Sequence, residues 1–169
     1  NRVGLLSSGV GVPWALHAKE ILESEWGVKA NVYSVTSWYE LRKDALAAEE
    51  HNYLYPNEER KTPYVIEKLQ HDADVFVATS DFEHQVQDSI RAWVPGTYST
   101  LGADGFGYSD TRAAARRQFK IDAHTMVVRT LSTLADLGRI DRSVVAEAID
   151  RYDIFNVNAG QSGEAGGDA

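Results

Sequence analysis

Val3-Gly4-Leu5-Leu6-Ser7-Ser8-Gly9-Val10-Gly11-Val12-Pro13-Trp14 decides the fold class. The apolar run Val3 to Leu6 is short and continuous, which suits a strand buried on both faces. Ser7-Ser8-Gly9 then breaks the run as a loop. Pro13 suits the first turn of a helix, where its missing N–H costs nothing. Beyond it Ala15, Ala18, Ile21, Leu22 and Trp26 share one helical face, and Gly27 is placed to end the helix. Strand, loop, helix is the opening of an α/β fold.

The same alternation continues. Asn31 to Val35 is a β-rich run, and Ser37 with Glu40 three residues on forms a capping box for a helix lined by Leu41, Ala45 and Ala48. Tyr64, Val65 and Leu69 predict a short helix, and Val75 to Ala78 a third strand. Phe82, Val86, Ile90 and Val94 recur at fourfold spacing and predict one helix over 82–94. Pro95-Gly96 is a turn, and Tyr98 to Leu101 a fourth strand. From there the pattern is helical, with Asp110, Asp122 and Asp141 as N-caps and Gly138 as a stop. The expected architecture is one α/β domain over 1–157, a mostly parallel, mixed open sheet with helices on both faces. Residues 158–169 are Gly-rich and acidic, too poor in large apolar groups to offset ordering, and are expected to be disordered.

Composition removes whole function classes. The chain has 169 residues, 43% hydrophobic and 25% charged, ordinary values for a globular domain. No apolar run approaches the roughly 20 residues of a membrane span. The absence of cysteine excludes disulfides, thiolate catalysis and Cys-ligated zinc. A formal net charge of −8 argues against a nucleic-acid partner. The chain lacks an initiator Met, opens directly into a strand and carries no signal pattern, so a fragment of a longer cytoplasmic protein is expected.

Gly9-Val10-Gly11 invites a dinucleotide reading, but Trp14 stands where the fingerprint needs its third glycine. The P-loop is missing, and Leu6 stands where a nucleophile elbow at Ser8 needs glycine. The five histidines are scattered. Gly102 to Arg112 is the strongest local feature, a glycine-dense loop where a strand's carboxyl end meets a helix. It is either a structured turn, capped by Asp110 and closed by a local ion pair, or a contact surface for another domain or subunit.

The resemblance rests on particular strings. Val32-Tyr33-Ser34-Val35-Thr36-Ser37, Thr62-Pro63-Tyr64, Ser80-Asp81 and above all Leu101-Gly102-Ala103-Asp104-Gly105-Phe106-Gly107-Tyr108-Ser109-Asp110-Thr111-Arg112 resemble the C-terminal domain of the homodimeric pyruvate dehydrogenase first component. Gly138-Arg139-Ile140-Asp141 with Val144-Val145-Ala146 also fits. The resemblance implies a transketolase C-terminal-domain-like fold. It implies a parent enzyme that uses thiamine diphosphate and magnesium, decarboxylates pyruvate and reductively acetylates the lipoyl group of the acetyltransferase component. It further implies that the cofactor is held by preceding domains, while this one supports the dimer and the active-site rim. The family's domain has one more strand ahead of Val3, so a sheet edge here is expected to be bare or otherwise paired.

The family's Gly-Asp-Gly motif with its following Asn pair is not met by Ala103-Asp104-Gly105. No catalytic, cofactor-binding or metal residue is therefore assigned, and the fragment alone is expected to bind no cofactor. Asp104, Gly105, Phe106, Gly107, Ser109, Asp110 and Arg112 are the expected interface or active-site-rim loop. Three functions fit the sequence: an assembly domain of the parent enzyme, a small-ligand or nucleotide-binding regulatory module, and an autonomous enzyme using acid–base residues such as Asp104 and His84.

Overall fold

The computed structural model describes residues 2–160. Strand β1 (Arg2–Ser7) feeds helix α1 (Gly11–Glu25), which returns the chain to β2 (Lys29–Ser34). Helices α2 (Trp38–Leu54) and α3 (Tyr64–Leu69) lead to β3 (Val75–Thr79). A short α4 (His84–Asp88) and a 3-10 turn at Arg91–Trp93 lead to β4 (Thr97–Leu101). Helices α5 (Arg112–Gln118), α6 (Ala123–Asp136) and α7 (Arg142–Arg151) complete the fold.

The strands lie in the order β2-β1-β3-β4, every pairing parallel. No antiparallel member stands among the described residues, so the mixed character expected of the sheet is not expressed there. Parallel strands covered on both faces must be apolar throughout, which is why β3 is buried at all five positions. One face packs Val3, Leu5, Val75 and Val77 against α1 and α6; the other packs Leu6, Phe76 and Ala78 against Trp38, Val65, Leu69 and Ile90. Both edges are managed by side chains. Gln87 and Arg91 donate to the carbonyls of Leu101 and Tyr98 on β4, and Glu23 accepts the Ala30 N–H of β2.

Three local expectations are corrected. The helix over 82–94 is broken into α4 and the 3-10 turn. Ser80 Oγ accepts the Phe82 N–H, Glu83 stays extended, and the Gln87 carbonyl accepts from the Tyr98 hydroxyl. Phe82, the first residue of that fourfold spacing, is 55% exposed. Tertiary hydrogen bonds here outcompete a ladder that side-chain spacing alone favours. Helix α5 is capped by Thr111, whose hydroxyl accepts from Ala114 N at 3.2 Å, while Asp110 accepts the Thr111 N–H and the Tyr108 hydroxyl. Ser37 caps α2 through Glu40 N as expected, but the Glu40 carboxylate turns to Lys43 rather than back to the cap.

Beyond α7 the chain stays structured through Gly160, with a 3-10 turn at Val157–Ala159 where disorder was expected to begin. The remainder of that expectation, over 161–169, lies outside the described residues. The segment after α7 is held by Arg117, which is 2% exposed. Its guanidinium pairs with Asp122 at 2.7 Å and donates to the Tyr152 carbonyl and to His124 Nδ1, each at 2.9 Å.

Candidate functional site

Open α/β sheets take ligands beyond the carboxyl ends of their strands, where the strand order reverses. Here that point lies between β1 and β3, and the protein fills it with its own atoms. Ser7 Oγ donates to the Thr79 carbonyl at 2.9 Å, Ser8 Oγ to Ser80 Oγ at 2.9 Å, and Trp38 Nε1 to Ser8 Oγ at 3.0 Å. Gly11 lets α1 start against this seam, because a Cβ there would fall 2.5 Å from Ser7 Oγ. Of the glycine pair that resembles a nucleotide loop, Gly11 therefore serves internal packing, while Gly9 turns the chain at a φ of +54°. The cavity left between Trp14, Thr79 and Arg116 is about 10 Å³.

The next carboxyl end, that of β4, carries the Gly102 to Thr111 loop. Its base is rigid. A Cβ on Gly102 would lie 2.5 Å from the His84 nitrogen, so only glycine permits the close approach. Ala103 N donates to the Phe82 carbonyl at 2.9 Å. Asp104 accepts from the His84 N–H at 2.9 Å and meets His84 Nδ1 at 2.5 Å. The His84 amide is the main reason the Asp104 carboxyl titrates below the usual range, with the ring adding to it. Gly105 then turns the chain at a φ of +93°. Phe106 follows, 98% exposed. The descent is fixed by Tyr108, whose hydroxyl donates to Asp110 at 3.1 Å and is pushed above its ordinary pKa by that bond.

The expected loop residues do not form one site. Asp104, Phe106 and Gly107 line a cleft of about 430 Å³ together with His84, Tyr108, Phe119 and Lys120. Asp110 and Arg112 line another of about 530 Å³, against Val157, Asn158 and Gly160. Gly105 and Ser109 line neither. His84 is brought to Asp104 across twenty positions, as an acid–base pairing of these two residues requires. The chemistry points elsewhere, because a general base works best with a pKa near the operating pH and the Asp104 carboxyl is held low. Both of its oxygens are also spent on His84. Lys120, at a φ of +59°, joins the same cleft from the turn after α5, and nothing in its sequence surroundings marks it.

Among the described residues no three His, Asp or Glu side chains converge as metal ligands, and no helix is long and apolar enough to cross a membrane. A diphosphate with its magnesium needs a crevice far larger than the seam at the switch point, which Ser7, Ser8 and Ser80 fill. The seam does not fit that group.

A family model for the transketolase-like TK C-terminal domain matches residues 1–122, from β1 to the cap of α6. This chain belongs to the transketolase C-terminal domain family. The relatives of this transketolase C-terminal domain extend the likeness past that boundary. It is 50% identical over 155 residues to the pyruvate dehydrogenase E1 component of Mycolicibacterium smegmatis, covering 92% of this chain and 17% of that protein. It is 47% identical over 159 residues to the same component of Mycobacterium tuberculosis, covering 94% and 17%. The component of Escherichia coli is 41% identical over 154 residues, covering 90% and 17%. The chain thus spans about a sixth of the length of these relatives. A solved structure, a split gene transketolase described as an inactive beta4 tetramer, matches this transketolase C-terminal domain with a TM-score of 0.54 and 17% identity. The match covers 79% of this chain and 39% of that one, and at this identity it carries the fold alone.

Proposed function

We propose that this chain is the C-terminal domain of a cytoplasmic, homodimeric pyruvate dehydrogenase. The parent enzyme uses thiamine diphosphate and magnesium, decarboxylates pyruvate and passes the acetyl group to the lipoyl group of an acetyltransferase component. This domain supports the dimer and shapes the active-site rim through the Gly102 to Thr111 loop, while other parts of the polypeptide hold the cofactor. The observation that carries the proposal is 50% identity to a pyruvate dehydrogenase E1 component over 92% of this chain but only 17% of the relative. The filled switch point and the depressed Asp104 carboxyl favour a supporting role over chemistry within the domain.

The test compares the 169-residue chain with the full-length polypeptide, by calorimetry with thiamine diphosphate and magnesium and by release of carbon dioxide from pyruvate. Binding and turnover are expected from the full-length polypeptide alone. Turnover by the short chain above a buffer blank would overturn the assignment, as would a full-length polypeptide inert toward pyruvate.

A further inference from the structure

A phenyl ring in water is an uncompensated apolar surface, and a cluster of them on a fixed scaffold marks a contact site. Phe106 is 98% exposed, at the tip of the loop after β4. Its surroundings hold it there. Two residues before it, the Asp104 carboxylate is tied to the backbone and ring of His84; two residues after it, the Tyr108 hydroxyl is tied to Asp110. The ordering cost of presenting the ring is therefore met before any partner arrives, the condition under which a single aromatic dominates an interface. Gly105 and Gly107 flank it, and a Cβ built on either would find nothing within 4 Å. An incoming surface can close directly on the backbone beside the ring. Tyr108, 41% exposed, lines the same cleft as Phe106, and Phe82, 55% exposed, lies on the segment whose carbonyl accepts from Ala103 N. Exposed Asp81, Glu83 and Asp110 lie on the segments flanking the loop, Asp104 lines the same cleft as the ring, and Lys120 is the lysine there.

We infer that Phe106 is a docking anchor that enters an apolar, basic-rimmed pocket on another region of the same long polypeptide. The inference rests on the parent enzyme proposed above. The relatives matched at 41 to 50% identity carry about five-sixths of their length outside the stretch this chain covers, so a large surface is available. A second copy of this domain is the poorer occupant, since it would bring a further formal charge of −8 toward an already acidic rim.

The test places photoreactive benzoylphenylalanine at position 106 of the full-length enzyme and maps the cross-links by mass spectrometry, with and without the acetyltransferase component. Cross-links to residues outside this domain, formed without the acetyltransferase, are expected. The absence of any cross-link, cross-links confined to copies of this domain, or cross-links appearing only with the acetyltransferase would each overturn the inference. In the same enzyme, Phe106→Asp should speed proteolysis at the boundary of this domain about 30-fold, the loss expected for a dominant anchor, while Phe106→Leu stays near the parent rate. Equal rates for all three proteins would also overturn it. A native polypeptide that does not act on pyruvate would instead remove the parent-enzyme proposal, whereas an active enzyme with position 106 free in solution removes only the docking anchor.

Discussion

Replacing Arg117 by alanine should be the most damaging single change to the fold's carboxyl-terminal third. The side chain is fully buried and its partner Asp122 nearly so, at 0% and 3% exposed, so solvent screening offers no relief. Removing one member of a buried pair strands the other charge, which typically costs about 3 to 5 kcal/mol. Asp122 keeps the Thr125 N–H and hydroxyl as donors, which moves the cost toward the lower end of that range. The Tyr152 carbonyl and His124 Nδ1 also lose their donor, loosening the segment after α7. A loss of about 3 to 4 kcal/mol follows, a large share of the roughly 5 to 15 kcal/mol that holds a domain folded. Urea unfolding followed by circular dichroism measures it directly. In the double variant Arg117→Met with Asp122→Asn, the stranded charge is gone and part of the loss should return. A loss below about 1 kcal/mol for Arg117→Ala would refute the assignment of this guanidinium as the keystone.

Burial, opposed in part by Asp122 and aided by Arg117, pulls the His124 imidazole below its ordinary pKa. The unfolded chain then binds more protons than the folded one at mildly acid pH. The stability this provides is complete above about pH 6.5 and drains away as pH falls toward the folded value. A His124→Asn variant should show a flatter urea midpoint between pH 7.5 and 5.5, and an unchanged slope would rule the histidine out. Gly102→Ala should destabilise by about 1 to 3 kcal/mol, because its Cβ meets the His84 backbone, whereas Gly107→Ala meets nothing and should be silent. Equal thermal midpoints for the two would contradict the close approach at 102. In the full-length enzyme, Asp104→Ala should free the loop from His84 and lower activity or weaken the dimer while thiamine diphosphate binding persists; unchanged sedimentation and rate would argue against that role.

The seam at the switch point is occupied by the protein's own side chains. Two hydroxyl contacts and one glycine close the crevice: Ser7 to the Thr79 carbonyl, Ser8 to Ser80, and Gly11 beneath α1. Among the described residues two features stay open at the carboxyl ends, a cavity of about 640 Å³ beyond β2, lined by Ser34, Thr36 and Ser37, and the loop after β4. The loop's tip carries the exposed Phe106, and its cleft of about 430 Å³ is lined by His84, Asp104 and Lys120.

The sequence alone determined the alternation of four strands with helices, because an apolar or β-rich run and a 3.6-residue stripe are each properties of a short stretch of chain. It also determined the caps Ser37, Asp122 and Asp141, where a side chain reaches a backbone N–H only two or three residues on. The family was legible for the same reason, in contiguous strings such as the one from Leu101 to Arg112. Only the tertiary structure decided the break at Phe82 to Val94, the pairing of His84 with Asp104, the burial of Arg117 and the outward pose of Phe106. Each depends on a partner far along the chain or on the lack of one. Local periodicity cannot tell a phenylalanine that will find the core from one that will be held away from it.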